Sequence, residues 1–169
     1  MSVVKISLEK AKENKLFYFV ANVVVYRERD GRCLILKRGE QEVVSPGKYG
    51  VVGGKLEWSD LDLTRPTRYN GEVPNFEDVV EKLLIRETRE EAGIEIESEL
   101  KYINSVGFVR PDGIPAILVK FAAKYLTGEV VLEPQAFSDF AWVDVDEVKN
   151  YDCMEGIVEE VVKTVKLFK

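Results

Sequence analysis

The amino-acid sequence predicts an α/β fold in which a mixed β-sheet lies between helices. A β-branched and aromatic run at Leu16–Tyr26 has the composition of a β-strand. Apolar residues then recur at steps of three and four over Asn75–Ala92, which predicts a helix, and two more strand-like runs follow. Because strands stand on both sides of this helix and Met154–Phe168 is amphipathic, we expect a sheet covered on both faces.

Composition limits the class of protein. The chain has 169 residues, 46% of them hydrophobic, which predicts one globular domain over residues 1–169. The net charge of −6 and the lack of a basic stripe argue against a nucleic acid polymer as partner. No signal peptide or membrane-length apolar run is found, so no membrane contact and a cytoplasmic location are expected. The chain contains no histidine, so acid–base chemistry falls to carboxylates, Lys or Tyr.

The first strands are expected to form a hairpin. Val3–Asn14 is a polar lead-in, interpreted as a short helix or an edge strand. The strand at Leu16–Tyr26 is followed by an Asp-Gly turn and by Cys33–Lys37, which pairs back on it. Tyr49–Val52 is predicted to be a short strand that leads into the glycine pair Gly53-Gly54.

An irregular segment separates this glycine pair from the central helix. Leu56–Asn75 shows no steady periodicity and is interpreted as a loop, which at this length is more often functional than idle. Asn75 is the predicted N-cap of the helix, and Gly93 is predicted to end it in a left-handed conformation.

The second half of the chain predicts more strands and a final helix. Ile94–Val109 and Ile114–Leu126 are two long strand-like runs joined by a turn, and Phe137–Val143 is a further short strand. Asp144 is placed to cap a one-turn helix. The apolar face of the C-terminal helix is predicted to consist of Ile157, Val161, Val162, Val165 and Leu167.

Three carboxylates stand where the buried face of the central helix should continue, at Glu87, Glu90 and Glu91. The last turn of a helix carries the negative end of its dipole and prefers cations, and like charges three or four residues apart repel each other. Arg86 and Arg89 offset part of this repulsion. A hard divalent cation bound by oxygen ligands would offset the rest. The competing interpretation is a solvated acidic helix end.

The motif around these residues resembles that of the Nudix hydrolases, MutT-like proteins whose signature is GX5EX7REUXEEXGU, where U is apolar. Here Gly53-Gly54-Lys55-Leu56-Glu57 is followed by Arg86-Glu87-x-x-Glu90-Glu91-x-Gly93-Ile94. The resemblance extends over roughly Val23 to Val148 and implies a Nudix-type α/β/α sandwich. The signature is interrupted, however, because an insertion at residues 57–75 lengthens it by eighteen residues. Its middle glutamate has three candidate counterparts: Asp60, Glu72 and Glu77.

The resemblance also implies roles for individual residues. Gly53, through its carbonyl oxygen, and Glu87, Glu90 and Glu91 are the expected ligands of Mg²⁺, with Mn²⁺ as the alternative. Arg86 would orient the glutamates. The general base is left open between Glu87 and a late acidic residue, for which the candidates are Glu133, Asp139 and Glu147.

Other residues are candidates for contact with substrate. Lys55, Lys37 and Arg38 are candidate phosphate ligands, although a plain surface role is the alternative for the lysines. Glu57 could support the metal ligands. The aromatic side chains that could stack on a base are Trp58, Tyr69 and Phe108, with core or dimer packing as the alternative and the favoured one for Phe108.

The resemblance implies an enzyme, a pyrophosphohydrolase that cleaves a phosphoanhydride bond in a nucleoside diphosphate-linked substrate. Nucleoside triphosphates, ADP-ribose and nucleotide sugars are all candidates. A non-catalytic nucleotide-sensing module is the alternative, because the first half of the signature is interrupted. A homodimer is a further expectation from the family.

Overall fold

The computed structural model describes residues 15–169, in which a mixed eight-stranded sheet lies between two helices. The strands are β1 (Tyr18–Arg27), β2 (Arg32–Arg38), β3 (Tyr49–Gly50), β4 (Val52–Lys55), β5 (Arg68–Asn70), β6 (Val73–Asn75), β7 (Glu95–Ile96), β8 (Lys101–Val109), β9 (Pro115–Thr127) and β10 (Phe137–Val143). The helices are α1 (Val79–Ala92) and α2 (Ile157–Phe168). The predicted fold class is therefore confirmed. The lead-in at Val3–Asn14 lies outside the described residues.

The sheet is built around β1. Its first half pairs antiparallel with β4 and its end pairs antiparallel with β2, as the hairpin prediction required, while β9 runs parallel to it on the other side. The main path is β10-β2-β1-β9-β7, with β3, β4 and β8 attached to β2, β1 and β9. A small separate sheet contains β5 and β6.

Alternate residues of β1 supply two cores. Val23 and Val25 belong to the cluster that α1 covers with Leu83. Val24 belongs to the cluster on the opposite face, which α2 covers with Val161. This division follows from the two-residue period of a strand.

One row of residues across the sheet matters for the site. Asn22 of β1 stands opposite Gly53 of β4 on one side and opposite Lys120 of β9 on the other. Because this row has the parity of Val24, its side chains belong to the face that α2 covers.

The start of α1 differs from the prediction. Asn75 is the last residue of β6 and accepts a hydrogen bond from the Thr67 backbone N–H at 2.8 Å, so it does not cap the helix. The N-cap position belongs to Asp78, in a left-handed conformation and without a side-chain capping bond. The predicted end is confirmed, since Gly93 has φ 69°.

Two other segments were predicted too simply. Leu56–Asn75 is not wholly irregular, because it contains a 3₁₀ turn at Trp58–Asp60 and the β5–β6 hairpin. The run Ile94–Val109 is divided into two strands, β7 and β8, with residues 97–100 between them. The two strands pair with different parts of β9. Asp144 accepts hydrogen bonds from two backbone N–H groups at the predicted one-turn helix, which spans Glu147–Asn150.

The apolar face of α2 was predicted only in part. Ile157, Val161 and Val165 are buried, but Val162 and Leu167 are only partly buried. The buried stripe is completed by two polar residues, Glu160 and Thr164. They stand three or four positions from the buried apolar residues, so the helical period carries them into the interior.

The packing of α1 on the sheet can be tested at Leu83, which is 1% exposed. We expect Leu83→Ala to lower the free energy of unfolding by about 2–5 kcal/mol, because it removes buried methyl groups and leaves a cavity. Chemical denaturation measures this loss. Leu126→Ala is the matched control, because Leu126 is 59% exposed, and it should change stability by less than about 0.5 kcal/mol. Equal losses in the two variants would contradict the packing described.

Candidate active site

The end of α1 lies directly against the glycine pair of β4. The backbone N–H of Gly53 donates a hydrogen bond to Glu91 Oε2 at 3.1 Å. A β-carbon at Gly54 would lie 2.4 Å from the carboxyl carbon of Glu87, and one at Gly53 would lie 2.0 Å from Asn22 Oδ1. Only glycine leaves room for this approach. The structure thus brings together Gly53, Glu87 and Glu91.

The helical period decides which carboxylates face the sheet. Glu87 and Glu91 are four residues apart and lie on the same face of α1. The intervening Thr88 is buried and donates its hydroxyl to the Leu84 carbonyl oxygen. Glu90 projects outward, with 55% of its side chain exposed against 15% for Glu87. Two of the three predicted metal-binding carboxylates therefore meet the glycine pair, and the third does not.

Arg86 connects the carboxylates to the inserted segment. Its guanidinium lies 2.9 Å from Glu87, 3.2 Å from Glu90 and 3.1 Å from Asp60. Asp60 ends the 3₁₀ turn that follows β4, and its carboxylate also accepts a hydrogen bond from the Glu57 backbone N–H. Arg86 is thus held by acidic groups from two segments of the chain.

Of the three candidate counterparts of the middle glutamate, only Asp60 is brought to Arg86. Glu77 instead forms an ion pair with Arg68 at 2.8 Å. Glu72 is exposed in the turn between β5 and β6. Asp60 also stands six residues after Gly54, the separation that the signature requires between its glycine and its glutamate.

Burial disfavours the charged forms of the two carboxylates that face the sheet, Glu87 and Glu91. It raises the pKa of Glu91 to about 8, against the hydrogen bond from Gly53, and the charges of Glu87 and Glu133 raise it further. Burial is also the main cause that raises the pKa of Glu87, with Arg86 opposing it. Bringing a cation to this position would relieve the cost of holding two partly buried carboxylates close together.

The donor set fits a hard divalent cation. It consists of carboxylate oxygens beside a glycine backbone, the type of ligand that Mg²⁺ prefers. Glu91 is held by the neutral N–H of Gly53 rather than by an ion pair among the described residues. Within residues 15–169, however, no three His, Cys, Asp or Glu side chains are gathered closely enough to hold a metal ion as they stand.

These residues open into a cavity of about 1310 Å³. Of the candidate phosphate ligands, Lys55 and Arg38 line it, whereas Lys37 does not. Arg38 is held by Glu42 at 2.5 Å and by the Val44 carbonyl oxygen at 2.7 Å. Glu57, the residue predicted to support the metal ligands, also lines the cavity.

The candidate stacking residues are separated by the fold. Phe108 lines the cavity, although packing was the favoured interpretation for it. Trp58 and Tyr69 are 54% and 56% exposed in the inserted segment, outside the cavity lining.

The three late acidic residues are also placed differently from one another. Glu133 lies near enough to Glu91 to raise the pKa of its carboxyl group, and its backbone N–H donates to the Glu91 carbonyl oxygen at 3.1 Å. Asp139 accepts a hydrogen bond from Tyr49, and Glu147 is paired with Arg32. Of these three residues, only Glu133 therefore lies close to Glu91.

The polar residues of the cavity lining that sequence reasoning missed include Asn22, Lys120 and Glu160. Two of them carried a signal. Lys120 is one of two lysines in a largely apolar strand run, and Glu160 stands on the apolar stripe of the C-terminal helix. A charge at such a position is buried by the helical or strand period and needs a partner.

Neither α1 nor α2 has the length and apolar character needed to cross a membrane.

Comparison with known sequences identifies a protein family and several relatives that match only part of this chain. The family model described as NUDIX domain matches residues 18–164. The NAD-capped RNA hydrolase NudC of Pseudomonas aeruginosa (strain LESB58) is 29% identical over 83 residues, which cover 49% of this chain and 28% of that protein. The protein of the same name from Stutzerimonas stutzeri (strain A1501) is 30% identical over 84 residues, or 50% and 29% of the two chains. The matches thus span less than a third of these curated relatives.

Solved structures share the fold at low identity. The MutT NUDIX hydrolase of Burkholderia pseudomallei superposes with a TM-score of 0.60 at 20% identity, over 92% of this chain and all of that one. The NUDIX domain of Shewanella oneidensis NrtR, solved with ADP ribose, gives 0.67 at 14% identity over 96% of each chain. Since the family model matches most of the chain and the fold agrees, this protein belongs to the Nudix hydrolase family, as its interrupted motif predicted.

Proposed function

We propose that this protein hydrolyses a phosphoanhydride bond in a small substrate built on a nucleoside diphosphate, with Mg²⁺ as its cofactor and Mn²⁺ as the alternative. Family membership supports pyrophosphohydrolase activity on nucleoside diphosphate derivatives, and Nudix hydrolases generally use divalent metal ions. The observation that carries the proposal is the meeting of Glu87 and Glu91 with the glycine pair at a large cavity.

Glu87, Glu91 and the carbonyl oxygen of Gly53 would hold the cation. When bound, it would supply positive charge to the phosphate oxygens and lower the pKa of the attacking water. Glu90 can join them only if its ion pair with Arg86 opens, because its side chain projects away from the glycine pair. The predicted role of Glu90 therefore depends on a rearrangement of Arg86.

The other residues of the site position and receive the substrate. Arg86, tied to Asp60, fixes the orientation of Glu87, a supporting role typical of residues around a metal site. Lys55 and Arg38 line the cavity and would contact phosphate oxygens, whereas Lys37 is less well placed. Glu87 and Glu133 are the two candidates for the base that removes a proton from water, since both lie beside Glu91.

The substrate class follows from the family and from ligands of its neighbours. One solved neighbour is complexed with ADP ribose, and another is an Ap4A hydrolase from C. elegans. The curated relatives are named for NAD-capped RNA. The net charge of −6 offers little to an RNA backbone, so we favour a small nucleotide over a polymer. Dimerisation and a cytoplasmic location stay predictions.

A nucleotide-sensing module is the second candidate. The NrtR NUDIX domain bound to ADP ribose supports it, together with the outward position of Glu90. This alternative predicts that calorimetry detects nucleotide binding while chromatography of the same mixture detects no product.

The catalytic assignment predicts unequal effects of matched substitutions. We expect Glu91→Gln to lower Mg²⁺-dependent turnover by roughly 100-fold, because it removes a charge at the reacting centre. Glu90→Gln should also lower turnover if Arg86 releases that side chain. Glu99→Gln is the control, because Glu99 is exposed and should leave turnover unchanged. A nucleotide panel assayed for released monophosphate measures all three, and full activity in Glu91→Gln would refute the assignment.

Cation binding should also be visible without substrate. Since Mg²⁺ would bind the folded state only, we expect it to raise the thermal midpoint, with a stabilisation of about 2.7 kcal/mol at 100 times the dissociation constant. Differential scanning fluorimetry measures the shift. Glu91→Gln should abolish most of it and Glu99→Gln none. An equal shift in both variants would locate the ion elsewhere.

The raised pKa of Glu91 predicts a pH dependence of the protein kept free of metal by EDTA. A folded-state pKa of about 8 means that the folded protein holds a proton which the unfolded chain has already released. The contribution of Glu91 to stability should therefore fall as the pH rises from the ordinary carboxyl range through about 8, and then level off. Urea titrations across this range measure it. Glu91→Gln should flatten this part of the curve, and an unchanged slope would contradict the burial of this carboxylate.

A further inference from the structure

A buried ion pair lies on the face of the sheet that α2 covers, opposite to α1. Lys120 of β9 donates a hydrogen bond to Glu160 Oε1 of α2, and their side chains are only 11% and 4% exposed. The other carboxylate oxygen, Glu160 Oε2, is buried and has no hydrogen-bond partner among the residues that the structure describes. The hydroxyl of Thr164, one turn later, is in the same condition.

The buried pair of Lys120 and Glu160 contributes little to the stability of the folded protein. A buried ion pair gains little over apolar residues of the same volume, because removing both charges from water is costly. An unpaired buried carboxylate oxygen adds to that cost. Burial raises the pKa of Glu160, and Lys120 opposes the shift, which agrees with a carboxylate that is only partly compensated. A group that donates to Oε2 would complete the set of hydrogen bonds.

The pair stands where the far end of a nucleotide would reach. Lys120 and Glu160 line the same cavity as Gly53 and Glu91, and they also line a neighbouring cavity of about 520 Å³. Along the row Gly53, Asn22 and Lys120, two strand spacings separate the glycine backbone from the lysine backbone, or roughly 10 Å. A ribose with its base spans a distance of this order when the phosphates lie at the carboxylates.

We propose that Lys120 and Glu160 bind the hydrogen-bonding edge of the nucleobase. Glu160 Oε2 accepts from an amino or ring N–H of the base, and the Lys120 ammonium donates a second hydrogen bond to the adjacent carbonyl oxygen or ring nitrogen. The Asn22 amide, in the same row, can both donate and accept. This inference rests on the proposed function, because that function places the phosphates at Glu87 and Glu91.

The cavity around the pair is lined in part by apolar and aromatic side chains. A β-carbon at Gly156 would lie 3.3 Å from Glu160 Oε1 and 3.5 Å from Lys120 Nζ, so the glycine places no side chain of its own against the ion pair. Leu118, Ile157 and Phe108 line the same cavity and provide apolar or aromatic surface for a ring. Charged groups that fix an orientation within apolar walls are typical of small-molecule sites.

The test measures what the base adds to binding, without any turnover. Calorimetry compares the four nucleoside 5′-monophosphates with ribose 5-phosphate, which lacks a base. We expect the wild-type protein to bind at least one monophosphate more tightly than ribose 5-phosphate. In Glu160→Gln this advantage should fall by roughly tenfold, the loss expected when a hydrogen bond to a charged group is weakened, while the affinity for ribose 5-phosphate stays unchanged.

Two further variants keep the result decisive. Glu99→Gln removes the same charge from an exposed residue that lines neither cavity, and it should keep the full advantage of the base. The double variant Lys120→Met with Glu160→Gln removes both buried charges, should fold at least as well as Glu160→Gln, and should also lose the advantage. An unchanged advantage in Glu160→Gln or in the folded double variant would overturn the inference. Absence of turnover in the wild-type protein would refute the proposed function alone, because the monophosphate experiment does not depend on hydrolysis.

Discussion

The close contact between the last turns of α1 and the glycine pair of β4 is the constraint on which the site depends. A carboxylate four residues from another can be presented on one helix face, but it reaches a strand backbone only where no side chain intervenes. Gly54 leaves that space for Glu87, and the N–H of Gly53 holds Glu91. The fold thereby concentrates negative charge at the wall of a cavity, and Arg86 pairs with Glu87 and Glu90 but not with Glu91.

The two faces of the sheet contribute different residues to the cavity. The face under α1 brings the carboxylates to β4, whereas the face under α2 carries the row from Asn22 to Lys120. The two groups line a single cavity because β4 pairs with the first half of β1, and β9 runs parallel to β1 on the other side. The carboxylates of the proposed cation site and the proposed base-binding pair are thus supplied by different helices, while β1 lies between them in the sheet.

Much of the fold could be predicted from the sequence because its signals are local. The Asp-Gly turn, the β-branched and aromatic run of β1 and the glycine at the end of α1 each act within a few residues, and each prediction is confirmed. The start of α1 was misjudged because Asn75 is the last residue of a short hairpin within the inserted segment, whose turn signal at Asn70-Gly71 was overlooked. For the site, the motif indicated Glu87, Glu90 and Glu91 alike, but the outward position of Glu90 and the contact between Glu160 and Lys120 depend on helix packing. Their placement follows from which face each helix presents to the sheet, and that is decided by the tertiary structure.

The inserted segment is closed at its base by its own contacts. Thr67 and Asn75 share a backbone hydrogen bond, the Thr67 hydroxyl accepts from the Glu77 N–H, and Arg68 pairs with Glu77. The chain therefore leaves and re-enters near one point, and Asp60, which precedes this closure, keeps its contact with Arg86. This motif is therefore defined by the contact between Asp60 and Arg86 and not by the number of residues between them. A search that demands a fixed number of residues between the glycine and the arginine would overlook proteins built on the same plan.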